Sequence, residues 1–215
     1  MENRIKVINN TKKEVNITVD QVGNITNIII ESPDKKIQLS ELKPGDVFKG
    51  NNGTEFIFLE VTNDGNVAVL RKDLLDTDMK FGKTNNFDCS CIDEYLNGEY
   101  INEIEKEFGV DNIVEHEVNL LSMDGLDDYG TIRRKVSLLP FDMYRKHRRM
   151  IGKNMERSWW LVDPNSTPSG YTPDYIHCVC SDGGVDYDWC YCDGGVRPFL
   201  ILKSSTLVSL IDMNE

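Results

Sequence analysis

Single alternation of apolar and polar residues marks both ends of the chain, and a spacing of three to four marks its middle. Val15, Ile17 and Val19 alternate with polar residues, Gly23-Asn24 supplies a turn, and Ile28 and Ile30 resume the alternation. This predicts a β-hairpin within residues 1–37, closed by the break Ser32-Pro33-Asp34. So small a piece has no core of its own, so it is expected to pack on the main domain or on another chain, for attachment or homo-oligomerisation. The main body opens at the turn Leu42-Lys43-Pro44-Gly45-Asp46. Residues 55–61 and 67–70, joined by Asn63-Asp64-Gly65-Asn66, predict a second hairpin. Ser90 ahead of Asp93 and Glu94 reads as a helix N-cap, with Gly98 as an interruption. Tyr100, Ile101, Ile104 and Phe108 then recur at helical spacing up to Gly109, a C′ residue. Another helix runs from Pro140 to Ile151, followed by strands at 176–181, 185–192 and 199–203. Strands, then helices, then strands again predict an α+β fold, with a main domain over 38–205 and a C-terminal tail over 206–215.

Of the 215 residues 40% are hydrophobic, enough for one sizeable core. The net charge of −12 argues against a general binder of nucleic acid or of an anionic membrane. No apolar run approaches the ~20 residues that span a bilayer, and Met1-Glu2-Asn3-Arg4 leads into a polar stretch rather than a signal peptide. Synthesis in the cytoplasm is the expectation. There the six cysteines, arranged as Cys89/Cys91, Cys178/Cys180 and Cys190/Cys192, would be thiols or metal ligands rather than disulfides.

Familiar catalytic signatures are missing. Gly82-Lys83-Thr84 ends like a phosphate-binding loop, but Thr77 stands where its first glycine is needed. His116-Glu117 has no second histidine for a zinc-protease helix, there is no Gly-x-Ser-x-Gly elbow, and Asp182–Asp186 lacks the acidic spacing of an EF-hand loop. The basic run Arg145–Arg149 reads as the solvated end of a helix, where it complements the helix dipole.

Residues 175–193 hold the densest chemistry. A three-residue loop at 182–184 would put Val179, Val185 and Tyr187 on one face, and Cys178, Cys180, Asp186, Asp188, Cys190 and Cys192 on the other. Cys180 then lies opposite Asp186, roughly 13–14 Å from Cys190 at ~3.4 Å per residue. Four thiolates so arranged cannot close around one tetrahedral zinc with ~2.3 Å bonds, which leaves Cys178, Cys180, Cys190 and Cys192 as weak metal candidates and no cofactor expected. Together with Tyr175, His177, Asp182 and Asp193, that polar face reads as a recognition surface. Tyr187, Trp189 and Tyr191 crowd into the same 19 residues and read with them as recognition surface, the alternative being that they are inward-facing core, which parity favours.

Trp159-Trp160-Leu161-x-x-Pro164, Val179, Gly184-Val185 and Gly195-Val196-Arg197-Pro198-Phe199-Leu200 resemble the ending of a bacterial and phage domain of unknown function, "WWL…P … V…G-V … GVRP". Phe87-x-x-Ser90-x-Ile92-x-x-Tyr95-Leu96-Asn97 and Val118–Ser122 are similar to its middle motifs, so that residues 42–203 are covered. The resemblance implies a C-type-lectin-like fold, shared with the formylglycine-generating enzyme and with the hypervariable receptor-binding proteins of diversity-generating retroelements. In those variable proteins the stretch before the "RP" ending binds ligand, here residues 175–193. Two departures stand out: Asp93 and Val162 replace arginines of the family. Arg197 remains and is expected to be partly buried, paired with a carboxylate or with carbonyl groups, next to Pro198. Trp159 and Trp160 are expected to build core. No residue matches the formylglycine enzyme's catalytic cysteine arrangement. The leading expectation is a non-enzymatic module for a protein or glycan ligand, in a phage or virion setting. Its rivals are a metal- or thiol-dependent enzyme and an intracellular factor that blocks a host component.

Overall fold

The computed structural model describes residues 16–22, 25–31, 36–151 and 155–210, in two compact units, Met1–Lys35 and Lys36–Glu215. In the first unit β1 (Asn16–Val22) and β2 (Ile25–Glu31) pair antiparallel from Val22 with Ile25 to Asn16 with Glu31. Two residues therefore connect the strands. Val15, the Gly23-Asn24 turn and the break at 32–34 lie outside the described residues.

The second unit is α+β. Its first strands are β3 (Lys36–Gln38), β4 (Val47–Lys49), β5 (Glu55–Val61), β6 (Val67–Arg71) and β7 (Met79–Lys80). Next come α1 (Cys91–Tyr95), a π-helical turn (Leu96–Tyr100) and α2 (Ile101–Phe108). β8 (Ile113–Val114), β9 (His116–Asn119), β10 (Thr131–Arg134) and β11 (Val136–Leu138) lead to α3 (Phe141–Ile151). The chain then runs through β12 (Trp159–Pro164), β13 (Tyr175–Val179), β14 (Val185–Trp189), β15 (Asp193–Gly194), β16 (Pro198–Leu202) and β17 (Leu207–Leu210). A curled antiparallel sheet has the order β11-β16-β6-β5-β4-β17-β3, with β8 also paired to β16. A smaller sheet has the order β12-β13-β14.

Both faces of the large sheet are covered. Phe56, Phe58, Val67 and Val69 pack with Ile92, Leu96, Ile104, Trp160 and Val162 in one core. Ile57, Leu59, Ala68 and Leu70 pack with Tyr144, Ile151, Trp159, Leu161 and Val179 in the other. Strand alternation thus sends the two adjacent tryptophans into opposite cores.

The expected ends of the first helix are in place. Ser90 Oγ accepts from Asp93 N at 2.9 Å, and the helix stops at Gly109 with φ +84°. Gly98 does not interrupt it. The helix passes through Gly98 as one wide π-turn, which keeps Leu96 and Tyr100 both buried. The expected tail also needs correction, because Leu207–Leu210 form β17, paired to β3 and β4 with Val208 fully buried. Lys36–Gln38 belong to the same sheet, so that unit reaches past both ends of 38–205.

Candidate functional site: an aromatic hairpin on a buried frame

The frame is built where β12 meets the Gly194-Gly195 segment. Trp160 N donates to Gly195 O at 3.0 Å, and Gly195 N donates to Ser158 O at 2.9 Å. A Cβ on Gly194 would stand 2.6 Å from Trp160 Cε2, and one on Gly195 would stand 2.8 Å from Leu74 Cδ1, so glycine is required by close approach. Trp160 Nε1 donates to Met79 O at 2.9 Å. Arg197 is 1% exposed, and its guanidinium donates to the carbonyls of Arg71 (2.8 Å), Lys72 (2.7 Å) and Ile151 (3.1 Å). It lies 5.2 Å from the centre of the Trp159 ring. Burial lowers its pKa to about 10, which still leaves it charged at neutral pH. Pro198, buried beside it, pairs with Leu138 across β16 and β11. Arg134 of β10 donates Nε and Nη2 to the buried Asp93 carboxylate at 2.8 Å each, and Asn97 Nδ2 donates to it at 2.8 Å. Val162 is fully buried in the core.

From this frame β13 and β14 extend as a hairpin. Val179 pairs with Val185, Cys178 with Asp186, His177 with Tyr187, Ile176 with Asp188 and Tyr175 with Trp189. Gly183 N donates to Cys180 O, and Cys180 N to Gly184 O, at 2.8 Å each. The loop is thus 181–183, with Gly183 at φ +80°, one residue earlier than expected. Cys180 stands opposite Gly184 instead of Asp186. The shift in pairing is two residues, which preserves which side chains share a face.

Coverage departs from the parity expectation at the far end of the ring face and at the buried cysteines. Near the loop, α3 covers the Val179–Val185 side: Tyr144 OH donates to Gly183 O at 2.7 Å, and the Phe141 ring reaches His177 at 6.4 Å. The start of α3 is fixed by Asp163, which accepts from Phe141 N at 2.7 Å; burial pushes its pKa up to about 7. Beyond Phe141 the rings continue without α3. His177 lies 5.9 Å from Tyr187, Tyr187 5.2 Å from Tyr175, Tyr175 4.1 Å from Trp189, and Trp189 5.3 Å from Tyr191. Tyr187, Trp189 and Tyr191 are 50%, 37% and 51% exposed. They are therefore surface rather than core, because α3 covers only the loop end of this face.

The cysteine face is largely closed. Cys178 and Cys190 are buried, and Cys180 and Cys192 are half-buried. Burial pushes Cys178 up to about 12 and Cys190 up to about 11, and raises Cys180 and Cys192 as well, the opposite of what activates a thiol. Among the described residues no three His, Cys, Asp or Glu side chains converge to hold a metal ion. Asp186 and Asp188 remain exposed on β14 and, with Asp193, line a cleft of about 140 Å³ floored by Trp159, Trp160 and Cys178. Asp182 is exposed in the loop, where its Oδ1 accepts from Gly184 N at 2.7 Å. His177 is buried under the rings, 3.3 Å from Asn165 Oδ1, and its pKa is lowered by that burial. Tyr175 is half-buried, anchored where Asn85 Nδ2 donates to its carbonyl at 2.8 Å.

The sequence-selected residues are thus divided among three places: the exposed hairpin, the cleft and the core. Tyr187, Trp189 and Tyr191 are the surface side chains that parity placed wrongly. The signal for them was the run of large rings on a strand whose partner residues are themselves aromatic. No helix among the described residues is long and apolar enough to cross a membrane. Comparison with protein-family models, with curated proteins and with solved structures gives no match.

Proposed function

We propose that the Lys36–Glu215 unit is a non-enzymatic recognition module of C-type-lectin-like type that binds a protein or glycan ligand through the β13–β14 hairpin. The observation that carries this reading is the open row of rings from Tyr175 to Tyr191, held on a buried frame. Large rings cost little conformational entropy to immobilise and offer apolar area with polar tips, which is why they dominate binding surfaces. Exposing three adjacent ones on an edge strand has no benefit for folding. The assignment of a C-type-lectin-like fold is supported by the place of the motif residues: the tryptophan pair, Gly194-Gly195 and Arg197 form one knot next to the hairpin. A phage or virion setting, and a role of the first unit in attachment or oligomerisation, belong to the same proposal.

The test is a binding screen on immobilised glycan and peptide panels with the wild-type protein and with Tyr187→Ala/Trp189→Ala. The reading expects at least one saturable ligand whose binding drops tenfold or more in the variant, with a melting temperature within a few degrees of wild type. A ligand bound equally well by the variant would refute this site. A ligand whose loss merely follows unfolding of the variant would do the same.

A further inference from the structure

The free edge of β14 carries an arrangement that the rings alone do not explain. Hydrogen bonds from Cys190 N to Asp174 O and from Cys180 N to Gly184 O bracket the β13–β14 ladder. Antiparallel pairs alternate, so Asp186 and Asp188 occupy the hydrogen-bonded positions and point their backbone groups at β13. Tyr187 and Trp189 then direct both N–H and C=O outward. Their two N–H groups are already taken: Tyr187 N donates to Asp186 Oδ1 at 2.8 Å, and Trp189 N donates to Asp188 Oδ1 at 2.7 Å. From Tyr187 to Trp189 the edge is left with carbonyls and carboxylates only. It cannot add an ordinary strand, which needs donors as well as acceptors.

Such an edge suits a ligand that brings donors and positive charge. Asp186 keeps its second carboxylate oxygen free, the outward carbonyls repeat every second residue, at about 6.8 Å, and the exposed rings of Tyr187, Trp189 and Tyr191 stand on the opposite face of the hairpin. A guanidinium can donate in a fork to a carboxylate and a neighbouring outward carbonyl. Lysine provides the charge without the fork. Resting on the recognition module proposed above, we infer that its ligand is an extended, arginine-bearing segment of another protein, with arginines at alternate positions along the β14 edge. The net charge of −12 favours the approach of such a partner, and the hairpin selects it.

The probe is the synthetic peptide acetyl-(Arg-Ser)4-amide, titrated calorimetrically at 150 mM salt, with acetyl-(Lys-Ser)4-amide as comparison. Asp186→Asn/Asp188→Asn keeps an oxygen to cap each N–H but removes two charges, so it is expected to fold as wild type. Glu99→Gln/Glu103→Gln removes two charges from exposed positions on the first helix and is the control. One-to-one binding is expected, weakened tenfold or more by Asp186→Asn/Asp188→Asn and changed less than twofold by the control. The lysine peptide should bind several-fold more weakly. Equal losses in the control and hairpin variants would overturn the inference, since net charge alone would then be at work. Failure of the arginine peptide to bind, with a neutral glycan from the panel still captured through the rings, would overturn the inference while the recognition module stands.

Discussion

The Trp159–Trp160 frame and the Tyr175–Tyr191 ladder sit on adjoining strands and are similarly rich in rings, but they treat their polar atoms in opposite ways. In the frame, Trp160 Nε1 and the Arg197 guanidinium find carbonyls of Met79, Arg71, Lys72 and Ile151, and both tryptophans are closed off. In the ladder the rings stay open, and the outward N–H groups are served only by aspartates of the same strand. Ring content therefore does not distinguish core from surface here. Coverage does: β12 is enclosed by two cores, whereas α3 covers only the loop end of the ring face on β13 and β14. A rigid frame beneath an open face is what a binding surface requires if its side chains are to vary at little cost to stability.

The contrast predicts graded effects. Trp160→Ala should destabilise by about 3–5 kcal/mol in denaturant unfolding, because it opens a large cavity and orphans Met79 O. Acid should act on the frame next. His116 is packed edge-on against Phe199, 5.5 Å away, with Nε2 3.0 Å from Ser137 Oγ, and burial lowers its pKa to about 4. The unfolded state, with an ordinary histidine near 6.5, binds the extra proton first. This contribution is therefore intact above pH 6.5 and is lost as pH falls toward 4, by on the order of 3 kcal/mol. His116→Gln should flatten that part of the stability profile. Gly194→Ala should cost about 1–3 kcal/mol. In a Trp160→Phe background, which removes the ring atoms a Cβ would meet, the cost should shrink, showing that the two positions are coupled.

The smallest energetic effect belongs to the ladder and shows up in assembly instead. Asp186→Ala/Asp188→Ala uncovers two donors on the β14 edge, next to carbonyls that already point outward. Melting should shift by no more than a few degrees. Sedimentation should reveal concentration-dependent self-association that Asp186→Asn/Asp188→Asn lacks. A monomeric alanine variant would mean that the aspartates do not guard the edge.

The parts of the fold set by local chemistry were legible from the residues. Ser90 caps a helix, Gly109 ends it, and Gly65 at φ +77° turns β5 into β6, because each signal acts within one turn of chain. Signals that depend on distant partners were not. Leu207–Leu210 is only four residues long, too short to show a period of its own, and becomes a strand by fitting between β3 and β4. The hairpin register was off by two because Gly183 and Gly184 are both able to take a positive φ, and Gly183 does. Parity correctly grouped the side chains by face, but nothing in a two-residue period says which face another layer will cover. α3 covers only the loop end. The candidate segment and its aromatic and acidic side chains were thus visible in the sequence, but which face stays open was not.

The contrast between a closed frame and an open ladder is tested most directly by acrylamide quenching of tryptophan fluorescence in wild type and Trp189→Phe. The chain has three tryptophans, of which Trp159 and Trp160 are 1% and 2% exposed and Trp189 is 37% exposed. The account predicts that the readily quenched fraction belongs to Trp189 and vanishes in Trp189→Phe. Undiminished quenching in that variant would show the frame to be open, and would contradict the assignment of recognition to the hairpin.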